Sequence, residues 1–348
     1  MTNPIPHPFT ERLIAWQKTA GRHGLPWQVS DPYRVWLSEV MLQQTQVVTV
    51  LDYYPRFLAA FPTVAALAAA PQDDVLALWA GLGYYSRARN LHFAAKQVVD
   101  DFNGVFPNTR LALETLKGVG RSTAAAIAAF SFQKREAILD GNVKRVLCRM
   151  FELEGLPSDK KFEASLWALA ESLLPEAEHM ATYTQGLMDL GATVCKRSKP
   201  LCGDCPMQTL CLAHQHDQTE RLPLKKPKQI APIKPLYWLI LSHPEADLLL
   251  HKRPEKGIWG GLYCVPTFDT LAELIEFCHG IGVDFADLEE QAPLNHRLTH
   301  FQLVITPFAF HSPQTRPECP EHLWATTATL ADLGMPKPLL NYLKQQHR

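Results

Sequence analysis

The sequence predicts a mainly helical N-terminal domain followed by a smaller α+β domain. Apolar residues recur at helical spacing through residues 1–212, and no strand-rich run interrupts them. The next segment, 213–235, is rich in proline and basic residues and lacks apolar periodicity, which is typical of an extended linker. In 236–348, short β-like runs surround one helical stretch, a pattern that indicates an α+β domain.

Individual elements follow from the local patterns. Helical spacing is clear at Val64, Leu67 and Ala68, and again at Val75, Leu78 and Trp79. Beyond the linker, the predicted strands are YWLIL (237–241), DLLLHKR (247–253) and FQLVITPFAF (301–310), and the predicted helix is 271–279. The 348 residues therefore divide into a helical domain at 1–212, a linker at 213–235 and an α+β domain at 236–348.

Composition limits the classes of protein to consider. With 47% hydrophobic and 20% charged residues, the chain is not expected to be disordered, collagen-like or fibrous. The start, MTNPIPHPF, lacks a basic and then apolar leader, and the apolar stretches are too short to span a membrane. We therefore expect a cytoplasmic monomer without a membrane partner. The formal net charge of −1 gives no hint of nucleic acid, so motifs have to carry that argument.

Four cysteines are spaced as a ligand set. Cys195, Cys202, Cys205 and Cys211 form a Cys-x6-Cys-x2-Cys-x5-Cys pattern. In a reducing cytosol such a pattern favours a metal centre over disulfides. Structural zinc usually uses two short hooks, and here only one is present, so the spacing favours a [4Fe–4S] cluster and leaves zinc as the alternative. Three basic residues lie between the first two cysteines: Lys196, Arg197 and Lys199. They either contact nucleic-acid phosphates or are charged residues exposed to solvent.

A two-glycine turn separates two predicted helices at LETLKGVG–RSTAAAIAAF (113–130). Gly118 and Gly120 allow a tight turn whose amides lie at the start of the second helix, where an anion binds favourably. This arrangement fits a helix–hairpin–helix that holds a DNA phosphate, although a purely structural turn explains the glycines equally well.

Two carboxylates have contrasting surroundings. Asp140 precedes a helix in ILDGNVKRVLCR (138–149), where an N-cap is the simpler interpretation. Glu39 has a simpler interpretation as a surface carboxylate, but its helical neighbours are Val35, Trp36 and Leu42, and such surroundings would raise its pKa toward neutrality. One protonated carboxyl and one ionised carboxylate are the pair that cleavage of an N-glycosidic bond requires.

Taken together, the motifs resemble those of the bacterial adenine DNA glycosylases, members of the helix–hairpin–helix base-excision superfamily. The matching motifs cover nearly the whole chain: LPWQ (25–28), SEVMLQQTQV (38–47), GLGYYSRARNLH (81–92), LKGVGRSTA (116–124), LDGNVKRVLCR (139–149), the four-cysteine loop and WGGLYCVP (259–266). The resemblance implies a core of two helical subdomains with a [4Fe–4S] loop, a Nudix-like C-terminal domain, and removal of adenine opposite 8-oxoguanine or guanine in duplex DNA.

The resemblance also implies a role for individual residues. Glu39 is expected to protonate adenine and activate water, Asp140 to stabilise the oxocarbenium-like sugar, and Asn142 to support that pair. Gln44 and Tyr84 match residues that enter the base stack near the lesion. The remaining expected DNA contacts are Gly118, Val119, Gly120, Ser122, Thr299 and His300.

Two differences from related families narrow the reactions that we expect this chain to catalyse. Endonuclease III carries a lysine nucleophile at the position of Ser122, so a monofunctional glycosylase is expected here. The C-terminal domain lacks the acidic Gly-x5-Glu-x7-Arg-Glu-x2-Glu-Glu run of Nudix hydrolases, so it is expected to recognise the lesion without hydrolysis. Its loop reads Leu298-Thr299-His300 where the family usually has Phe-Ser-His.

Two alternatives remain at this level. One is a pyrimidine glycosylase with lyase activity that resembles endonuclease III, which Ser122 and the extra domain oppose. The other is a non-catalytic DNA-binding or redox-sensing protein, which has no need for both Glu39 and Asp140.

Overall fold

The computed structural model describes residues 7–226, 231–243, 248–298, 300–311, 319, 321–330 and 332–346. These residues form two compact units. The first contains the described residues of Met1–Ala68 and Phe93–Pro227, and the second those of Ala69–His92 and Lys228–Arg348. The second unit thus includes 24 residues that precede the predicted linker. In the described part of the chain, no helix has the length and apolar character needed to cross a membrane.

The described residues before 227 are helical and contain no strand, as the sequence predicts. The helices are α1 (Pro8–Ala20), α2 (Pro32–Leu42), α3 (Val47–Ala60), α4 (Val64–Ala69), α5 (Gln72–Trp79), α6 (Ser86–Phe102), α7 (Arg110–Leu113), α8 (Arg121–Phe132), α9 (Gly141–Met150), α10 (Lys160–Ser172), α11 (Met180–Asp189) and α12 (Leu212–Gln215). A π-helical turn, Leu190–Val194, continues α11.

Capping and burial explain the two helices that carry the predicted carboxyl groups. Asp31 caps α2 by accepting a hydrogen bond of 2.8 Å from the Arg34 amide, and Pro32 occupies the first turn, where its missing N–H costs nothing. The apolar face of α9 is buried in a core shared with α1, α10 and α11. Burial of Val143 and Leu147 in that core anchors the start of α9, where Asp140 lies.

The predicted linker begins as ordered structure rather than as an extended segment. It starts within α12, and turns follow up to residue 222. Ala213 and Leu222 are fully buried, and the Leu222 carbonyl accepts a 2.9 Å hydrogen bond from Arg149 Nε. Two apolar anchors and one buried arginine therefore fix a stretch whose composition predicted an extended linker.

The C-terminal residues form a mixed sheet packed against a helix. Its strands are β1 (Ile233–Ser242), β2 (Leu248–Lys252), β3 (Tyr263–Cys264), β4 (Thr267–Phe268), β5 (Glu289–Glu290), β6 (Leu294–Arg297), β7 (Gln302–His311) and β8 (Leu323–Ala325). The path through the sheet runs β3-β2-β1-β7-β5, with β4 paired to β1, β6 to β7 and β8 to β2. Only β1 and β7 run parallel among the described strands, in a register from Ile233–Gln302 to Ser242–His311.

Three further helices complete this region: α13 (Leu271–Gly280), α14 (Thr327–Leu330) and α15 (Lys337–Gln346). A capping box between Thr270 and Glu273 begins α13. Its buried Leu274 and Cys278 pack with Leu239 of β1. The predicted strands and helix of 236–348 are therefore present, and the mixture of a helical region with an α+β region is confirmed.

Candidate active site

A cleft of about 1320 Å³ in the first unit brings the two predicted catalytic carboxyl groups to one surface. Glu39, near the end of α2, and Asp140, just before α9, both line it. Glu39 and Asp140 are 101 residues apart in the sequence. The fold, and not the local sequence, therefore brings them together. The cleft is open to solvent and large enough to admit a nucleotide.

Glu39 lies in apolar surroundings. Val35 and Trp36, which precede it on α2, are buried, and Leu42 lines the cleft beside it. Burial raises the pKa of Glu39 to about 8, and repulsion from the Asp140 carboxylate adds to the increase. The side chain keeps partial exposure toward the cleft. Glu39 is therefore a protonated acid at neutral pH that solvent and ligands can reach.

Asp140 has the opposite setting. It is exposed, and its Oδ1 accepts hydrogen bonds from the amides of Asn142 and Val143 at 2.9 and 2.8 Å. These bonds make it the N-cap of α9, as the simpler sequence interpretation predicted. The two amides and the positive end of the helix provide favourable partners for a negatively charged group at this position. Capping also fixes the position of the side chain at the cleft surface, so the cap and a chemical role are compatible.

Asn142 is held in place by a buried arginine. Arg145 Nη2 donates to Asn142 Oδ1 at 2.9 Å and to the Gly191 carbonyl at 2.7 Å, while its Nε donates to the Cys195 carbonyl at 2.8 Å. Gly191 has to be glycine, because a Cβ there would lie 2.6 Å from the Asn142 Cβ. Asn142 therefore has a defined orientation beside Asp140.

Cationic side chains surround the two carboxyl groups. The lining includes Lys196 and Arg197 of the cysteine loop, Arg22, Lys225 and Lys226. A rim of this charge suits a polyanion, because each bound phosphate displaces condensed counterions. Of the three basic loop residues considered from sequence, Lys199 is not among the described residues that line the cleft.

Arg22 has a fixed position on that rim. Its Nε donates to Asp189 Oδ1 at 2.7 Å and its amide to Oδ2 at 2.9 Å. Asp189 is fully buried and also accepts from Gln185 Nε2 at 2.8 Å. A buried carboxylate with several donors holds the arginine in place more firmly than an exposed ion pair does.

The two-glycine turn has the predicted shape, but one of its amides is already used. Gly118 has φ +80°, a region that favours glycine, and α8 follows Gly120 without a side-chain cap. The Val119 amide donates to the Leu116 carbonyl at 3.1 Å within the turn. A phosphate contact through Val119 would therefore have to share that amide.

Two more predicted residues, Gln44 and Ser122, line the cleft. Gln44 has φ +56°, which is uncommon for a non-glycine residue and indicates a constrained position. Ser122, near the start of α8, accepts a 3.0 Å hydrogen bond at Oγ from the Leu139 amide. That bond connects α8 to the segment leading into Asp140.

The remaining predicted DNA contacts belong to the second unit. Tyr84 has φ +47° and a ring that is 46% exposed. Burial lowers the pKa of its neighbour Arg87 to about 10. His300 is exposed, and Thr299 lies outside the described residues. The structure therefore presents Tyr84 and His300 at the surface of their own unit.

The four predicted ligand cysteines line one small apolar pocket. Burial raises the pKa of Cys205 to about 12 and also raises the pKa values of Cys202 and Cys211. Arg149 Nη1 donates to Cys195 Sγ at 3.4 Å and to the Lys196 carbonyl at 2.7 Å. Within the described ranges, no three His, Cys, Asp or Glu side chains converge as they do around one metal ion. The donor set is thus four thiols facing a shared pocket.

Sequence reasoning missed the buried arginines of α9. Arg145 and Arg149 are 9% and 2% exposed, and they connect the helix that follows Asp140 to the cysteine loop. A signal for them does exist: they lie four residues apart on one face of a short helix whose other residues include Val143, Val146 and Leu147. Charged residues on a buried face need specific partners.

Two family models match the chain. The HhH-GPD superfamily base excision DNA repair protein model matches residues 37–172, which include Glu39, Asp140 and the two-glycine turn. The NUDIX domain model matches residues 237–345, which contain the mixed sheet except for the first four residues of β1.

Individual relatives extend this similarity along the chain. Over 340 residues the chain is 36% identical to the adenine DNA glycosylase of Buchnera aphidicola subsp. Acyrthosiphon pisum, with 97% of each chain covered. It is 37% identical over 300 residues to that of Buchnera aphidicola subsp. Baizongia pistaciae, covering 86% of this chain and 85% of the relative. A solved thermostable thymine-DNA glycosylase is 30% identical with a TM-score of 0.55, covering 60% of this chain and 95% of that one.

Proposed function

The chain belongs to the adenine DNA glycosylase family and is a base-excision-repair glycosylase, and we propose that it removes adenine paired with 8-oxoguanine or guanine. The observation that carries this proposal is the pair of Glu39 and Asp140 in one cationic cleft. One carboxyl is held neutral and the other is capped by amides, which is the division of roles that N-glycosidic cleavage needs.

In the proposed reaction, Glu39 donates its proton to adenine as the C1′–N9 bond breaks. The bonding electrons leave with the base, and the proton neutralises the charge that they bring. Positive charge then develops on the sugar, and the Asp140 carboxylate opposes it. The ionised Glu39 next accepts a proton from the water that attacks C1′, which returns it to its starting state and leaves an abasic sugar.

Asn142 assists by position. Its amide oxygen is engaged by Arg145, and this contact fixes the direction in which its amide nitrogen points. Together with the capping bonds to Asp140, this contact limits the motion of the carboxylate during the reaction.

We propose a monofunctional reaction because a serine, and not an amine, stands at position 122. Ser122 lines the cleft, and its hydroxyl already accepts from the Leu139 amide. Schiff-base formation with the abasic sugar needs an amine nucleophile. Strand cleavage is therefore expected only after alkali treatment.

The four cysteines are proposed to hold a [4Fe–4S] cluster. Their shared apolar pocket supports this proposal, because four thiolates are the ligand set that a [4Fe–4S] cluster requires. When bound, the cluster would cross-link the loop through its thiolates and so fix the backbone that carries Lys196 and Arg197. Purified protein should contain about four irons per chain and be yellow-brown. An active, colourless protein with one zinc would overturn the assignment.

We assign lesion recognition to residues outside the catalytic pair. Gln44 and Tyr84 are proposed to enter the base stack, Gly118, Val119, Gly120 and Ser122 to contact the backbone, and Thr299 and His300 to read the opposite base. The exposed Tyr84 ring and the cleft position of Gln44 support the first of these assignments. We also expect the protein to act as a monomer in the cytoplasm.

The direct experiment uses duplexes with adenine opposite 8-oxoguanine, guanine or thymine. We expect abasic sites on the first two, with cleavage only after alkali, and faster release opposite 8-oxoguanine. Equal release on all three duplexes would contradict mispair specificity. No release on any of them would contradict the proposed function.

A further inference from the structure

The loop that presents Tyr84 has a backbone that needs outside support. Within four residues, Gly81, Gly83 and Tyr84 have φ values of +99°, +72° and +47°. The last is disfavoured for a residue with a bulky side chain, so the surroundings must over-determine it.

Part of that support comes from nearby side chains. Arg87 Nη2 donates to the Gly83 carbonyl at 3.2 Å and to the Leu82 carbonyl at 3.3 Å, and Trp79 Nε1 donates to the Gly83 carbonyl at 3.2 Å. The Arg87 guanidinium also lies 5.6 Å from the centre of the Tyr84 ring. These contacts hold the Leu82 and Gly83 carbonyl groups in place.

A second part comes from residues near the C-terminus. The Tyr85 hydroxyl accepts from the Gly81 amide at 3.2 Å and donates to the Met335 carbonyl at 3.3 Å. Tyr85 is only 8% exposed, so both bonds are largely shielded from water. One hydroxyl thus joins the Tyr84 loop to a segment 250 residues later.

Around the Tyr85 hydroxyl, the residues of α5 and the start of α6 contact the C-terminal residues over a continuous surface. A Cβ on Gly334 would lie 3.1 Å from the carbonyl group of Leu76. A Cβ on Gly261 would lie 3.4 Å from Cδ1 of the same leucine. Arg89 Nη1 donates to the Gly260 carbonyl. The Trp-Gly-Gly motif, which catalysis does not use, therefore brings its backbone close to α5 and the start of α6.

We propose that the Trp259–Gly261 turn and the Gly334–Met335 segment form a supporting surface, here called the seat, for residues 72–89. Through its bond to this surface, Tyr85 acts as a positioning residue for Tyr84. The C-terminal residues then set the conformation of a stacking side chain in addition to reading the opposite base. The effect on mispair discrimination rests on the proposed function, whereas the effect on loop conformation does not.

The test is Tyr85→Phe in the full-length protein, with two readouts. The first is hydrogen exchange at the Gly81 amide, which we expect to accelerate because the amide loses its acceptor. The second is discrimination between adenine opposite 8-oxoguanine and opposite guanine, which we expect to fall about twofold to tenfold, the range for one lost hydrogen bond. In a Tyr84→Ala background, Tyr85→Phe should cause no further loss of discrimination.

Tyr263→Phe is the matched control. Its hydroxyl lies 3.3 Å from Asp73 Oδ2 on the same surface but makes no contact with the Gly81 amide. It should leave both readouts unchanged. If Tyr85→Phe does not fold, Arg89→Met replaces it, since that change removes the donor to Gly260 while leaving Tyr85 in place.

Unchanged Gly81 exchange in a folded Tyr85→Phe protein would overturn the proposed seat. Additive losses with Tyr84→Ala would show that Tyr85 does not act through Tyr84, which also overturns it. A protein that shows faster Gly81 exchange but releases no adenine would contradict the proposed function and leave the seat intact.

Discussion

The end of α2 and the start of α9 bring the same chemical group to one cleft in two contrasting environments. Glu39 follows buried apolar residues on its helix, and burial raises its pKa to about 8. Asp140 is exposed and accepts two backbone amides. The surroundings of the two carboxyl groups, and not their residue type, therefore distinguish the proposed acid from its proposed partner.

The largest expected effect comes from removing either function. Glu39→Gln removes the proton donor, and Asp140→Asn removes the negative charge. Each should reduce the rate of adenine release roughly 10²- to 10⁴-fold under single-turnover conditions, the usual value of a general acid–base or charge-stabilising group. Binding to mispaired duplex should largely survive. A single-turnover rate near wild type would remove that residue from the catalytic pair.

Dependence on pH separates the two carboxyl groups. A raised pKa keeps Glu39 protonated through neutral pH, and the proton is lost as the pH rises through about 8. The rate of adenine release should therefore stay level up to that value and then fall about tenfold per pH unit. Single-turnover rates from pH 4 to pH 10 measure this limb, and a fall that begins near pH 5 would contradict the assignment.

The same shift affects stability. A Glu whose pKa is higher in the folded state lowers the free energy of unfolding as the pH rises from about 4.5 to about 8, because in this range the folded state keeps a proton that the unfolded state has released. Glu39→Gln should therefore become more stable relative to wild type across this window. Thermal melts at pH 5 and pH 9 provide the comparison, and a constant difference between the two proteins would speak against burial as the cause.

A lysine introduced beside the Asp140 region tests how the cleft is arranged. Ser122→Lys should gain some strand-cleaving activity, because an amine there would reach the sugar carbon exposed after base loss. Thr123→Lys is the control, since Thr123 is the next residue and also lines the cleft. Borohydride trapping of the protein on abasic DNA measures the gain, and equal trapping by both variants would count against the placement of Ser122.

The smallest effect concerns the cap alone. Asp140→Asn retains an oxygen that caps α9, whereas Asp140→Ala removes it and should destabilise the protein by about 1 kcal/mol. Urea unfolding of the two variants measures this difference. If Asp140→Asn lost as much stability as Asp140→Ala, its loss of activity would reflect a disturbed helix start instead of a missing charge.

Regular patterns in the sequence predicted much of this arrangement. The apolar face of α9, the strands β1, β2 and β7, and the apolar setting of Glu39 all follow from local spacing. Local spacing did not predict the ordered first half of the linker, which depends on buried Leu222 and its bond to Arg149. The same limit applies to Arg145, whose partners Gly191 and Cys195 are distant in sequence.

The most direct test of the central contrast is the protonation state of Glu39 itself. Infrared difference spectra of wild type against Glu39→Gln, recorded from pH 4 to pH 10, isolate the carbonyl stretch of this one protonated carboxyl. Because the pKa of Glu39 is raised, this band should be present at neutral pH and should disappear with a midpoint near pH 8. Its disappearance between pH 4 and pH 5 would contradict the account, because Glu39 would then be ionised when adenine has to be protonated.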